Sequence, residues 1–184
     1  MSKAVMLSIR PKWCEKIANG EKTIEVRKTR PKLDTPFKCY IYCTLQGCNE
    51  FFRVDLGRDV AKWNRGKWAD RKGKVIGEFT CDRIFPINVF DNGSIQNWLF
   101  EHMERSCLSY EELADYIGNG KTGHGWHISG LLIYDQPREL SEFRRATDPC
   151  DSCHAEYTWE CTGCKKLGGD IKRPPQSWCY VEES

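Results

Sequence analysis

The chain has 184 residues, of which 40% are hydrophobic, 12% aromatic and 29% charged, and its formal net charge is +2 at pH 7. This length is typical of one domain with a hydrophobic core of its own. The sequence contains no apolar run of about 18 residues and begins without the basic, apolar and small-residue sections of a signal peptide, which excludes membrane, collagenous and disordered classes and predicts a cytoplasmic protein.

The first predicted elements are a strand, a short helix and two further strands. Alternating residues at 4–9 predict the first strand, and Pro11 opens a helix with Trp13 on its apolar face. Gly20 stands where a helix end favours a left-handed residue. Residues 23–27 and 39–44 are β-prone, which predicts two more strands.

A polar insertion at about 45–73 follows, and it lies in the basic half of the chain. Residues 1–75 carry 18 basic and 8 acidic residues, whereas residues 76–184 carry 10 basic and 18 acidic residues. This segregation predicts a basic face for an anionic partner, unless folding mixes the two halves into a neutral surface. Trp63 and Trp68 lie among the cations of the insertion. Their rings either stack on the bases of a nucleic acid or anchor the insertion to the core.

The second half of the chain adds two predicted strands, at 74–81 and 126–134, and two helices, near 95–103 and 110–117. The second helix begins at a capping box formed by Ser109 and Glu112. Residues 118–123 satisfy the dinucleotide-binding spacing G-x-G-x-x-G, but they follow a helix and precede a strand, which is the reverse of what that motif requires. We interpret them as a flexible loop that, with His124 and Gly125, could form a lid over a pocket.

Four of the eleven cysteines form a cluster near the C-terminus. Their spacing is C-x2-C-x7-C-x2-C, at Cys150, Cys153, Cys161 and Cys164. Outside a secretory context this pattern predicts a structural Zn²⁺ site with four thiolate ligands. The spacer is short, so His154 or Cys179 is an alternative ligand, and a reduced cluster without metal or a pair of disulfides is an alternative state. We divide the chain into a domain at 1–145 and a cysteine-rich appendage at 146–184.

The run Gly20-Glu21-Lys22-Thr23-Ile24-Glu25-Val26-Arg27 resembles the G-x-K-x-x-E-x-R signature of the ASCH domain, a PUA-like family associated with RNA. The resemblance covers about residues 3–140 and includes the strands at 75–79 and 126–128. The tail at 173–180 with the cysteine cluster resembles those of small bacterial, phage or prophage ASCH proteins. Several short strands with few helices also predict an α+β fold built on a small β-barrel, here with flanking helices and a zinc-stapled appendage.

The ASCH resemblance implies a cleft lined by this signature. On a strand, Thr23, Glu25 and Arg27 share one face, and Lys22 leads into it. A Lys, a carboxylate and an Arg that converge can bind a phosphate or a polar base edge, and a desolvated Lys can act as a base. The alternative is an ordinary ion pair between Glu25 and Arg27, with Lys22 in solvent. Further candidate ligand-binding residues are Lys28, Arg30, Trp63, Trp68 and His127.

The main prediction is an RNA- or nucleotide-binding protein, with single-stranded RNA or a modified nucleoside as partner and with ribonuclease activity as an option. Lys22, Glu25, Tyr42 and His127 are the acid–base candidates for such a ribonuclease. The sequence does not predict an oligomeric state, and no membrane partner is expected.

An amidohydrolase is the first alternative. Some ASCH members deacetylate N4-acetylcytidine with a Lys, a Thr nucleophile and a Glu, which implies Lys22, Thr23, Glu25 and Glu104 as candidate catalytic residues here. Lys22 matches the family's lysine, whereas Glu25 occupies the nucleophile position. Either Thr23 attacks the acyl group, or Glu25 activates a water.

Two other hypotheses concern the cysteine cluster. The zinc-stapled appendage could be an adaptor that binds another protein. His102-Met103-Glu104 together with residues 149–153 matches the zinc-deaminase signature H-x-E…P-C-x-x-C. A predicted helix, a loop and a strand separate the two halves of that signature, and Cys161 and Cys164 would have no role in it.

Overall fold

The computed structural model describes residues 2–45, 69–92, 94–95, 100–146 and 169–183. These residues form a sheet-rich α+β fold, which confirms the predicted class. The strands are β1 (Lys3–Ile9), β2 (Ile24–Arg27), β3 (Phe37–Cys43), β4 (Val75–Asn88), β5 (Thr122–Arg138), β6 (Arg144–Arg145), β7 (Gly169–Asp170) and β8 (Trp178–Glu182). The α-helices are α1 (Pro11–Ala18), α2 (Phe100–Ser106) and α3 (Tyr110–Ile117). None of the helices in these ranges is long and apolar enough to cross a bilayer.

Two compact units divide the chain. The first consists of Met1–Pro11, Lys38–Glu78 and Leu132–Ser184, and the second consists of Lys12–Phe37 and Phe79–Leu131. The long strands β4 and β5 contribute residues to both units. The candidate signature at 20–27 belongs to the second unit.

In the first unit, β1 has neighbours on both sides. It pairs in parallel with β3, with Val5 opposite Cys39, and antiparallel with β8, with Met6 opposite Cys179. The sheet continues from β8 through β6 to β7. These strands enclose a core formed by Ala4, Met6, Tyr40, Tyr42, Val75, Phe143, Ile171, Cys179 and Val181.

Strand β8 is an element that the sequence analysis treats only as part of a tail. In the structure Cys179 and Val181 are buried, whereas the residues between and beside them are partly exposed. This period of two is that of a strand with one face on a core. Five residues are too few to show the pattern clearly in the sequence, and the pairing with β1 supplies the hydrogen bonds that stabilise it.

The second unit contains the sheet order β2-β5-β4. Antiparallel pairing places Ile24 opposite His127, Glu25 opposite Trp126 and Arg27 opposite His124. The core joins strand residues to α3 and consists of Ile24, Val26, Ile87, Val89, Ile95, Leu113, Ala114 and Ile117. The predicted capping box at the start of α3 is confirmed, because Ser109 Oγ accepts from the Glu112 backbone N–H at 3.2 Å and Glu112 Oε2 accepts from the Ser109 backbone N–H at 2.9 Å.

The described strands form an open sheet, whereas the sequence analysis predicts a small barrel. The strand order is β2-β5-β4-β3-β1-β8-β6-β7, so the described part of the sheet has two ends. The loop predicted at the glycine-rich motif is confirmed at 118–121, between α3 and β5. The lid prediction is wrong for His124 and Gly125, because both lie within β5 and pair with Arg27 and Val26.

Candidate functional site

Three charged residues form a buried ionic triad in the second unit. Glu25 Oε1 accepts a hydrogen bond from Arg27 Nη2 at 2.9 Å, and Glu25 Oε2 lies 3.4 Å from Lys22 Nζ. Lys22 is 2% exposed, and Glu25 and Arg27 are each 6% exposed. The alternative in which Lys22 remains in solvent is therefore wrong. The structure brings together the three signature residues that the sequence analysis placed in one cleft.

The local sequence explains how these side chains meet. Gly20 adopts a left-handed conformation with φ 75°, which glycine does without a steric penalty. The chain turns there after α1, and the backbone N–H of Lys22 donates to Lys16 O at 3.0 Å. Two residues later β2 begins, and its alternation puts Glu25 and Arg27 on one face. The turn thus brings Lys22 close to the carboxylate of Glu25, three residues further along the chain.

The ammonium of Lys22 is surrounded by acceptors. Lys22 Nζ donates to Ile24 O at 2.8 Å and to Ser106 O at 2.7 Å, and its third direction faces Glu25. Burial lowers the pKa of Lys22, although the nearby Glu25 charge acts in the opposite direction. A desolvated lysine gives up its proton more readily than one in solvent, so Lys22 can serve as a base as well as a cation.

Thr23, the next residue along the chain from Lys22, contributes a buried hydroxyl. Its backbone N–H donates to Arg105 O, and its carbonyl accepts from the Ile128 N–H, both at 2.9 Å. Its Oγ1 is buried and has no hydrogen-bond partner among the residues that the structure describes. A buried hydroxyl without a partner costs about 1–3 kcal/mol, so a ligand that hydrogen-bonds Oγ1 would recover that free energy.

Two aromatic rings near the triad were not predicted as site residues. Trp13 is partly exposed on α1, and its ring centroid lies 5.2 Å from Lys22 Nζ and 4.1 Å from Lys12 Nζ. Tyr116 is 38% exposed on α3, and its ring centroid lies 5.3 Å from Lys28 Nζ. Burial raises the pKa of Tyr116, and the charges of Arg27 and Glu25 also act on its hydroxyl. Both rings therefore lie close to the triad.

His127 and Glu104 are not brought to the triad. His127 Nδ1 lies 2.6 Å from Asp82 Oδ1, and its register partner Ile24 places it on the sheet face opposite Glu25. Glu104 is exposed on α2, and no ion pair joins it to Lys22 in the described part of the chain. Arg30 is exposed beyond β2. Burial of the His124 ring lowers the pKa of His124, and the charge of Arg30 adds to that effect.

Two further candidate residues, Tyr42 and His102, pack against apolar side chains. Tyr42 belongs to the core of the first unit, and burial raises the pKa of its hydroxyl. His102, from the deaminase signature, stacks on Phe85 with ring centroids 4.7 Å apart. Both rings therefore have apolar packing partners.

The predicted zinc ligands lie outside the described residues, and so do Trp63, Trp68 and His154. Cys179, the alternative ligand, is buried in the core of the first unit, where burial raises the pKa of its thiol. Over the described ranges, no group of three or more His, Cys, Asp or Glu residues could hold a metal ion. The zinc site, the adaptor and the deaminase all depend on cysteines 150–164 and stay predictions.

Comparison with known proteins identifies the fold. No family model and no curated protein matches the chain. Among solved structures it is similar to ASCH from Zymomonas mobilis, with a TM-score of 0.56 and 17% identity over 98% of this chain and 88% of that chain. A tyrosine-to-phenylalanine mutant of that protein gives a TM-score of 0.57 and 16% identity over 99% and 92% of the two chains, and a serine-to-alanine mutant gives 0.55 and 17% over 98% and 89%. The chain therefore has the ASCH fold, as the signature at 20–27 predicts.

Proposed function

We propose that this protein binds single-stranded RNA through an unpaired nucleobase that reaches Lys22, Glu25 and Arg27. The observation that carries the proposal is the burial of three charges in one place. Replacement of buried ion pairs by apolar residues often leaves protein stability unchanged or increases it. Stability alone therefore does not explain why this triad is buried. A lysine whose pKa is lowered beside a specific charge partner is typical of a functional site.

The chemistry of the triad matches the polar edge of a base. A carboxylate accepts a hydrogen bond from an exocyclic amino group such as N4 of cytosine, and cationic donors serve the ring nitrogen and carbonyl acceptors. Unpaired bases of single-stranded RNA expose these edges, and proteins commonly read them there. Cytosine or adenine fits because each carries an amino group.

The burial of the triad favours a base over a phosphate as the group that reaches it. Exposures of 2–6% leave only a narrow approach to the triad, which fits the flat edge of a base better than a tetrahedral phosphate on a polymer backbone. Phosphates would instead meet the exposed Lys28 and Arg30, which follow β2 directly. Base contacts then supply specificity, and phosphate contacts supply position and salt dependence.

The test is fluorescence anisotropy of a short labelled oligocytidylate at about 50 and about 200 mM salt. We expect wild-type affinity to fall with salt, at a slope of about −0.7 per phosphate contact. Lys22→Met should lower affinity about 10-fold or more, in line with a lost base contact. Lys16→Met is the matched control, because the side chain of Lys16 is 41% exposed and forms an ion pair with Glu21, outside the triad, at 3.0 Å. Failure of the wild type to bind, or equal binding by Lys22→Met, would contradict the proposal.

A second candidate function is hydrolysis of an N4-acylated cytidine, and the unpartnered hydroxyl of Thr23 favours it. In this reaction neutral Lys22 takes the proton from Thr23 Oγ1, and the oxygen attacks the acyl carbon. The amino group of cytidine leaves with that proton, and water then hydrolyses the acyl-threonine. In the alternative, Glu25 activates water directly.

Acetate release from N4-acetylcytidine tests this second candidate. We expect Thr23→Val to reduce turnover about 100-fold or more, whereas Thr23→Ser retains part of it. If Thr23→Val remains active and Glu25→Gln does not, water is the nucleophile. Absence of acetate release by the wild-type protein over long incubation would exclude the reaction.

A further inference from the structure

Two aromatic–lysine pairs lie beside the triad. In the first, Lys12 Nζ lies 4.1 Å from the ring centroid of Trp13, and in the second, Lys28 Nζ lies 5.3 Å from that of Tyr116. Trp13 also faces Lys22 at 5.2 Å. An aromatic ring with a neighbouring cation is the arrangement that binds a nucleotide of a single strand, because the base stacks while the cation meets its phosphate.

Lys12 forms its ion pair with Glu112 near the protein surface. Its Nζ lies 3.9 Å from Glu112 Oε1, and the two side chains are 31% and 50% exposed. Exposed ion pairs and exposed cation–π contacts are both weak. A phosphate oxygen forms a shorter, charge-assisted hydrogen bond with an ammonium, so an arriving nucleotide would compete successfully for Lys12.

We propose that Trp13 is the stacking platform for the bound base, and that Lys12 leaves both the Trp13 ring and Glu112 to meet the phosphate of the same nucleotide. The inference rests on the proposed RNA binding and names further residues of that site. Tyr116 lies one helical turn beyond Glu112 on α3, so the second aromatic–lysine pair is placed to take the neighbouring nucleotide. Glu112 then acts as an internal competitor that limits affinity for RNA.

The two carboxylate oxygens of Glu112 have different partners, so its competition for Lys12 can be tested without disturbing the helix cap. Oε2 accepts from the Ser109 N–H in the capping box, whereas Oε1 faces Lys12. A glutamine serves equally in a capping box, so Glu112→Gln keeps the cap and removes only the negative charge. Glu111→Gln is the matched control, because it changes the net charge equally on the same turn and no ion pair joins Glu111 to Lys12 within the described residues.

Calorimetric titration with cytidine, cytidine 5′-monophosphate and a short oligocytidylate provides the test. We expect Glu112→Gln to raise affinity for the two phosphate-bearing ligands by up to about fivefold, with no change for cytidine. Trp13→Leu should lower affinity for the oligocytidylate by about 5- to 150-fold, and Trp13→Phe by less, since a phenyl ring still stacks. Circular dichroism establishes that each variant is folded.

The outcomes separate this inference from the proposed function. Equal gains in Glu112→Gln and Glu111→Gln would show a general charge effect and overturn the partner exchange. Wild-type affinity in both Trp13 variants would overturn the stacking role while RNA binding stands. If the wild type binds no RNA at all, the proposed function fails and this inference fails with it.

Discussion

Glu25 is the residue on which both cations of the triad depend. It is the ionic partner of Arg27 at 2.9 Å and of Lys22 at 3.4 Å, and all three side chains are nearly inaccessible. Removing one partner of a buried ion pair leaves an uncompensated charge, which costs about 3–5 kcal/mol. We therefore expect Glu25→Gln to lower the free energy of unfolding by about that amount, measured by urea denaturation. Glu21→Gln, which removes the charge from the exposed pair with Lys16, should change the unfolding free energy little, and equal effects of the two variants would contradict the dependence of both cations on Glu25.

Lys22 should make stability rise with pH. Burial holds its pKa below the ordinary value of 10.5, so between the folded-state pKa and 10.5 the unfolded chain binds the proton and the folded chain does not. Stability must then increase with pH across this window, by at most about 1.4 kcal/mol per pH unit, and must level off above it. The measurement is the difference in unfolding free energy between wild type and Lys22→Met from neutral pH upward. A difference that falls with rising pH would show that the ion pair with Glu25 outweighs desolvation.

The residues of the triad could be predicted from sequence, but their burial could not. The signature placed Lys22, Glu25 and Arg27 together because alternation on a strand is a local property. The acceptor of the Lys22 ammonium at Ser106 is 84 residues away, so no local pattern indicates it. Trp13 was assigned to the apolar face of its helix. Sequence periodicity could not identify it as a site residue, because an aromatic ring in a core and one at the rim of a site have the same spacing along a helix.

Among the helices, α3 connects the core of the second unit to the rim of the site. Leu113, Ala114 and Ile117 are buried in the core, whereas Glu112 faces Lys12 and Tyr116 faces Lys28. The capping box at Ser109 fixes where this helix begins. We expect Ser109→Ala to lower the unfolding free energy by about 1 kcal/mol, measured by thermal denaturation, and Ser109→Asn to preserve it because an amide oxygen also caps. Equal losses in the two variants would show that another contact of Ser109 is responsible.

The hydrophobic pattern of the sequence predicts that β4 and β5 exist, but it does not predict where they begin and end. The sequence predicted strands at 74–81 and 126–134, but β4 extends to Asn88 and β5 begins at Thr122. Pro86 lies within β4, and a proline argues against a strand because it cannot donate to the ladder. Contacts with β5 and the loop before it accompany the extension, since Thr122 Oγ1 donates to Asn88 Oδ1 at 2.9 Å and the backbone N–H of Val89 donates to Lys121 O at 3.0 Å.

At the scale of the whole molecule, the charged halves of the sequence do not coincide with the structural units. The second unit takes segments from both halves, 12–37 and 79–131, and contains ten basic and eleven acidic residues. Its net charge is therefore close to zero, in agreement with the interpretation that folding mixes the two halves. Attraction of RNA to this unit then depends on the individual cations Lys12, Lys28 and Arg30 near the triad, rather than on a field from a uniformly basic face.

The predicted zinc site concerns the first unit, to which residues 132–184 belong. We expect purified protein to contain about one zinc per chain, because paired C-x2-C units supply the four thiolates of a closed tetrahedral site. Cys150→Ser should reduce the zinc content measured by mass spectrometry after dialysis. Cys179→Ala should leave it unchanged, because the side chain of Cys179 is packed in the core of the first unit. If both variants lose zinc equally, Cys179 is a zinc ligand. If the wild-type protein contains no zinc, the four cysteines form either a reduced cluster or disulfides.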